Sequence, residues 1–273
     1  MPSPSQIIKK AGSTAGKLAS ALRRIPERLR DMNSPKKVAE QMEAVYARYQ
    51  QEARSGIIER ITSHHPDPKL AQMAADFESM LDHPLARKYL KHKPELFVSK
   101  SNFPNPSIVG EKIIDVPRTL VEHLTPKELK AIVGHELGHL VRGDTHPRAI
   151  TLTSRKARKS NQQMERMADK LGVVLSESPE ALKSSLEKIA HLTREYAKER
   201  FSTVPKPVSA LLNKLVDRNF KQGNRSYPSL RSRKHTIDTL AEGLQDPHRR
   251  SWAERCLNDS LADLHDQHGC FRR

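Results

Sequence analysis

The sequence predicts a mainly α fold with one small β-sheet, an α+β arrangement with a helical majority. Leu, Ala, Lys, Arg and Glu are among the commonest residues, and aromatic residues make up only 4%, a composition of helix formers. Apolar residues recur every three or four positions through most of the chain, the period of a helix with one buried face. Strand-like runs are confined to Glu95–Ser99 and to "SIVGEKIIDVP", residues 107–117. With 273 residues the chain is long enough to bury a real core. A mean hydropathy of −0.70 places charged helix over much of the surface.

Taken in order, residues 1–37 form a basic amphipathic arm. Ile8, Ala11, Ala15, Leu18, Leu22, Ile25 and Leu29 trace a helical stripe among lysines and arginines, interrupted at Pro26. Three readings stay open for it: a solvated or packed helix, a helix lying on an anionic membrane, and a mitochondrial presequence. Residues 34–62 read as one helix, with Ser34 as N-cap and Pro35 in the first turn. His64-His65-Pro66-Asp67-Pro68 breaks the chain before a helix near 68–92. The two strand-like runs follow, the second folding back at Gly110-Glu111. Helices then return over about 118–123, 126–142, 160–176, 179–200, 207–221, 230–245 and 248–266. Four regions follow from this: the arm to 37, a helical region 38–94, a core domain 95–245 and a helical tail 246–273.

Lys and Arg number 48 against 32 Asp and Glu, a net charge of +16. That balance favours anionic partners without choosing among them. Basic clusters at 155–159, 231–234 and 248–250 carry no interleaved aromatics, so they offer no stacking platform for single strands. No helix-turn-helix or zinc ribbon is visible, and nucleic acid is not the expected partner. Two cysteines, Cys256 and Cys270, cannot build a disulfide framework. No apolar run reaches bilayer-spanning length, and no apolar leader opens the chain. The expectation is an intracellular, cytoplasmic protein, peripheral to a membrane if the arm binds one.

The stretch "GHELGHLVRGDTH", 134–146, carries the strongest chemical signal. Thr125-Pro126-Lys127-Glu128 starts its helix, with Thr as N-cap, Pro at the first position and Glu closing a capping box. Leu129, Val133, Leu137 and Leu140 take one face, leaving His135 and His139 one turn apart on another. Two imidazoles at that spacing reach a single cation, and Glu136 between them meets a water bound to it. A third ligand must come from elsewhere. His146 is one candidate, but it sits seven residues after His139, where the extended metzincin pattern requires six and a glycine between. The better candidate lies in "SNQQMERMADKLG", 160–172, where Ser160 and Gln163 read as a second helix start. Glu165 and Asp169 share a face there, one to bind the metal and the other to hold a ligand histidine by its free ring nitrogen.

"LTPKELKAIVGHELGHLVRGD" followed by "MERMADKLG" resembles the HtpX-like peptidases, a family that includes the type I CAAX prenyl endopeptidases. "IIDVPRTLVEHLTPKEL" is similar to the strand and helix before the family's motif, and "SPEALKSSLEKIAHL" to the helix after its glutamate. "YPSLRSR" resembles the family's His-Pro-x-x-x-x-Arg element, with Tyr227 at the His and Arg233 at the Arg. The resemblance covers about 95–240. It implies a zincin-like, minigluzincin core with helical extensions at both ends, one Zn2+ per chain and endopeptidase activity on protein or peptide substrates. Carried over residue by residue, it implies His135, His139 and Glu165 as zinc ligands, Glu136 as catalytic base and Asp169 as support for a ligand. Arg233 and Tyr227 would stabilise the oxyanion. Two departures stand out: Tyr227 replaces a histidine, and only 26 residues separate His139 from Glu165, where relatives insert transmembrane helices.

Two other readings compete. A DNA-associated protease of the SprT type shares His-Glu-x-x-His but takes a histidine as third ligand. A non-catalytic peptide- or membrane-binding protein on a peptidase scaffold would dispense with Glu136, which is present. A second metal site from Cys256, His265, His268 and Cys270 matches no justified spacing.

Overall fold

The computed structural model describes residues 35–56, 58–109, 112–143, 155–202 and 228–246, with 210, 214, 250–251, 254–255 and 257–262. The arm before residue 35, the turn at 110–111, His146, Tyr227, most of the expected helix 207–221 and the Cys256, His265, His268, Cys270 cluster lie outside the described residues. The chain divides into two units, Met1–Ala44 and Val45–Arg273. Apart from residues 35–44, which open the first helix, everything below concerns the second.

Helix α1 spans Pro35–Arg54 and strand β1 spans Ile58–Arg60. The sequence reading continued the helix to 62. Instead the chain turns at Gly56, whose φ of 72° stops the helix, and Ile58 enters a strand. Helices α2 (Pro68–Leu81) and α3 (Pro84–Tyr89) replace the single helix expected near 68–92. Pro84 supplies no N–H, and the His83 ring instead accepts from the Leu85 N–H to cap a fresh start. Next come β2 (Glu95–Ser99), β3 (Ser107–Val109) and β4 (Ile113–Pro117), then α4 (Arg118–His123), α5 (Pro126–Arg142), α6 (Arg155–Ser176), α7 (Pro179–Phe201) and α8 (Leu230–Gln245). Helix α6 begins at Arg155, so Ser160 lies inside it and is not its N-cap.

The fold is mostly helical with a four-stranded mixed sheet in the order β1-β2-β4-β3. Strands β2 and β4 are parallel, with Phe97 opposite Asp115, while β1 and β3 pair antiparallel on the outside. One sheet face carries Leu96, Val98, Ile114 and Val116 into the main core. The other carries Phe97 and Ile113, with Ile58, into a smaller cluster with Tyr46 and Tyr49 of α1. Every residue of β4 is buried, the pattern of an inner strand covered on both faces.

Helix α5 is the centre of the molecule. The stripe read from sequence is buried, and so are Ala131, Ile132, Gly134, Gly138 and Val141. Its start is pinned twice. Glu128 Oε2 accepts from the Thr125 backbone N at 2.7 Å, and α7 then reaches the same carboxylate through Ser184 Oγ at 2.6 Å and Lys188 Nζ at 2.8 Å. The capping box thus doubles as the tie between α5 and α7.

Candidate active site

Helices α5 and α6 cross at unusually short range because glycines meet at the crossing. A Cβ placed on Gly138 would lie 2.9 Å from Leu171 Cβ and 3.0 Å from the Ala168 carbonyl oxygen. A Cβ on Gly172 would lie 3.1 Å from both Cα and N of His135. Small residues at such a crossing let two helices approach to near backbone contact. That approach brings side chains of α6 within reach of the histidines of α5.

His135, His139 and Glu165 converge there, with one ligand atom from each lying within 4.8 Å of the others. Glu165 Oε2 is 3.7 Å from His135 Nε2, and Oε1 is 3.7 Å from His139 Nε2. The imidazoles stand nearly perpendicular, their centroids 4.8 Å apart. Tetrahedral zinc with ligands at about 2.1 Å spaces its donors by roughly 3.4 Å. Two nitrogens and a carboxylate at the observed spacing therefore fit zinc with a small inward movement.

Asp169, one turn beyond Glu165, is fully buried, and its Oδ1 lies 3.1 Å from His135 Nδ1. That contact engages Nδ1 and orients the ring, so Nε2 is the nitrogen a metal could take. Arg233 of α8 donates to the same carboxylate from Nη2 to Oδ1 at 2.6 Å and from Nε to Oδ2 at 2.9 Å, while Nη1 is 3.4 Å from Glu165 Oε2. Burial alone would raise the Asp169 pKa, but the Arg233 guanidinium and the His135 hydrogen bond outweigh it and hold the carboxyl at about 2. The same carboxylates raise the Arg233 pKa against the opposing effect of its own burial. The sequence reading aimed Arg233 at the substrate oxyanion. In the structure its donors face the Asp169 and Glu165 carboxylates, and Nη2 also lies 3.4 Å from His135 Nδ1 and 3.3 Å from His135 Nε2. Ser229 N-caps α8 and so sets where Arg233 enters the site.

Glu136 is buried beside the histidines, and desolvation pushes its carboxyl above the usual range, opposed by any charge on His135 and His139. A raised carboxyl in a cleft is suited to taking and returning a proton. The cleft is a groove of about 830 Å³ holding His135, Glu136, His139, Glu165 and Arg233. It also receives Ser107 and Ile108 of β3, Pro228 just before α8, Leu230 at its start, and one face of α7. Tyr227, next to the buried Pro228, lies outside the described residues. Sequence reading missed Phe103, Tyr196 and the α7 face in this groove, along with the role of Gly138 and Gly172. Gly138, between His135 and His139, was the one available signal.

Among the described residues, no helix is long and apolar enough to cross a membrane. Residues 71–159 match the model of Peptidase family M48. That match takes in the α5 motif and stops short of Glu165 and Asp169, which the fold itself brings to the histidines. A 60-residue stretch is 38% identical to "Protease HtpX homolog" from Thermoplasma acidophilum, covering 20% of this chain and 19% of that protein. The chain thus aligns with about a fifth of that curated relative's length. No solved structure gives a significant match.

Proposed function

We propose that this chain, an HtpX-like metallopeptidase of family M48, is a zinc-dependent endopeptidase that cuts peptide bonds within protein substrates. The observation that carries the reading is the convergence of His135, His139 and Glu165 with Glu136 in one groove. Those three side chains would hold the zinc. When bound, zinc supplies a Lewis acid for the scissile carbonyl and makes a nearby water more acidic.

The remaining chemistry belongs to the chain's own groups. Glu136 takes the proton of the attacking water and returns it to the leaving amine. Asp169 engages His135 Nδ1 and so presents Nε2 as the ligand nitrogen, and Arg233 fixes Asp169 and leans on Glu165. Arg233 is thus a positioning residue. Strand β3 ends the sheet, and its Ser107 and Ile108 line the groove. Its outer edge, unpaired among the described residues, suits a substrate bound as an added strand through backbone hydrogen bonds, which tolerates many sequences.

The test compares zinc content and casein cleavage for wild type, Glu136→Gln and Glu165→Ala. The expected outcome is full zinc without cleavage for Glu136→Gln, and loss of both for Glu165→Ala. Cleavage by Glu136→Gln at the wild-type rate would overturn the assignment of the base. Full zinc in Glu165→Ala would remove Glu165 from the ligand set.

A further inference from the structure

The groove extends past the histidines in a direction the hydrolytic groups do not explain. Ile189, Ala190, Thr193 and Tyr196 of α7 lie three, four, seven and ten residues beyond Leu186, so a single helix face forms this wall. Facing them is the loop before β3, which carries Phe103. Among the described residues Phe103 is the one large apolar side chain left exposed, at 45%. It is not loosely held. Its backbone N–H donates to Ser101 Oγ at 3.2 Å, its carbonyl accepts from the Asn105 N–H at 2.8 Å, and Thr119 Oγ1 donates to the Ser101 carbonyl at 3.3 Å. Pro104 and Pro106 further restrict the loop. The Phe103 ring meets Tyr196 edge to face, with centroids 5.4 Å apart and planes at 67°. Two aromatic rings from separate elements thus meet in the groove that holds Glu136, and one keeps nearly half its surface in water.

We propose that Phe103 and Tyr196 form a side-chain subsite that selects peptide segments carrying a large apolar residue, aromatic or branched aliphatic, close to the scissile bond. This rests on the endopeptidase reading above and names its substrate class. The occupant is the substrate itself, because the subsite, the outer edge of β3 and Glu136 share one groove. An extended chain laid along β3 sends alternate side chains to the same side, toward Phe103 and α7. A preorganised aromatic wall binds an apolar side chain without an ordering cost in the protein.

The experiment uses quenched-fluorescence peptides identical except at one position, filled in turn with Phe, Leu, Ala or Glu and moved along either side of the bond. Zinc-loaded wild type is expected to prefer Phe or Leu over Ala by roughly tenfold or more in kcat/KM at one position, the scale on which apolar pockets discriminate. Phe103→Ala and Tyr196→Ala should each cut that ratio about tenfold with zinc content unchanged, and Tyr196→Phe should restore it. A flat profile at every position, or a ratio intact in both alanine variants, overturns the subsite. If wild type cuts none of the peptides, the hydrolytic reading fails separately. The subsite is then read from fluorescence anisotropy of labelled Phe and Ala peptides on the Glu136→Gln protein, with and without Phe103→Ala. Equal binding of the two peptides to the Glu136→Gln protein would overturn the subsite as well.

Discussion

Gly138→Ala isolates the geometric claim that the α5–α6 crossing builds the metal site. The new methyl would sit 2.9 Å from Leu171 Cβ and 3.0 Å from the Ala168 carbonyl oxygen, and the second is backbone that no rotamer change can move. Restoring ordinary contact requires the helices to part locally by about 0.5 Å, an overpacking cost of about 1–3 kcal/mol. Replacing a mid-helix glycine by alanine returns about 1 kcal/mol, so the net loss of stability is about 1 kcal/mol. The effect on the metal is larger. Glu165 already stands 3.7 Å from both imidazole nitrogens, and a further 0.5 Å exceeds the roughly 0.2 Å tolerance of a good zinc site. The zinc Kd, measured by chelator competition, should rise about 10- to 100-fold. Melting of the metal-free protein should show a fall of only a few degrees. Gly172→Ala, aimed at the His135 backbone at 3.1 Å, should behave similarly. Gly134→Ala should be milder, because its nearest neighbour is the flexible Met80 Sδ at 3.2 Å. A Gly138→Ala protein that binds zinc within twofold of wild type would refute the reasoning, as would a series in which Gly134→Ala is the worst.

Three further outcomes follow from the same structure. Burial alone would raise the Glu128 pKa, but Lys188, Ser184 and Thr125 hold it down to about 2. Its stabilising effect is therefore complete above the unfolded carboxyl pKa near 4.3 and disappears as pH falls toward 2, about 1–2 kcal/mol once solvent screening around the part-exposed Lys188 is allowed for. Urea unfolding of Glu128→Gln should show that loss at pH 7 and a flatter stability profile between pH 5 and 2; a profile parallel to wild type would remove the carboxylate from the account. Asp169→Asn takes the charge from a site that still holds the Arg233 guanidinium. Chelator competition should show zinc affinity lowered about 10- to 100-fold, and unchanged affinity would mean that His135 is oriented without it. Burial, reinforced by Asp115, pushes the Tyr49 phenol up to about 12. Spectrophotometric titration of the folded protein should show one late tyrosine step that Tyr49→Phe abolishes; its survival in that variant would assign the step elsewhere.

The elements with strong local signals were legible. Thr125, Pro126 and Glu128 announced the start of α5 because an N-cap, an N1 proline and a capping box are all local chemistry. β1 was not legible. Ile58–Arg60 is three residues long and continues the apolar period of α1, and only its pairing with β2 makes it a strand. The start of α6 was misread for a related reason, since Ser160 and Gln163 can cap a helix locally but were overridden by one already under way from Arg155.

The site divides along the same line. His135, Glu136 and His139 share one turn of helix, so their convergence follows from the 3.6-residue period alone. Glu165 joins them through a crossing that depends on Gly138 and Gly172, residues that carry no chemistry and signal only by being small. Arg233 was found by resemblance, but its partners depend on where Ser229 caps α8, and no spacing reveals that. Phe103 and Tyr196 left no trace in sequence because 93 positions separate two ordinary aromatic residues. On the proposed function, local chemistry supplies the groups that would act on a peptide bond, whereas the choice of peptide would rest on tertiary contacts. For that reason the Phe103 and Tyr196 variants probe a part of the function that the motif in α5 leaves unspecified.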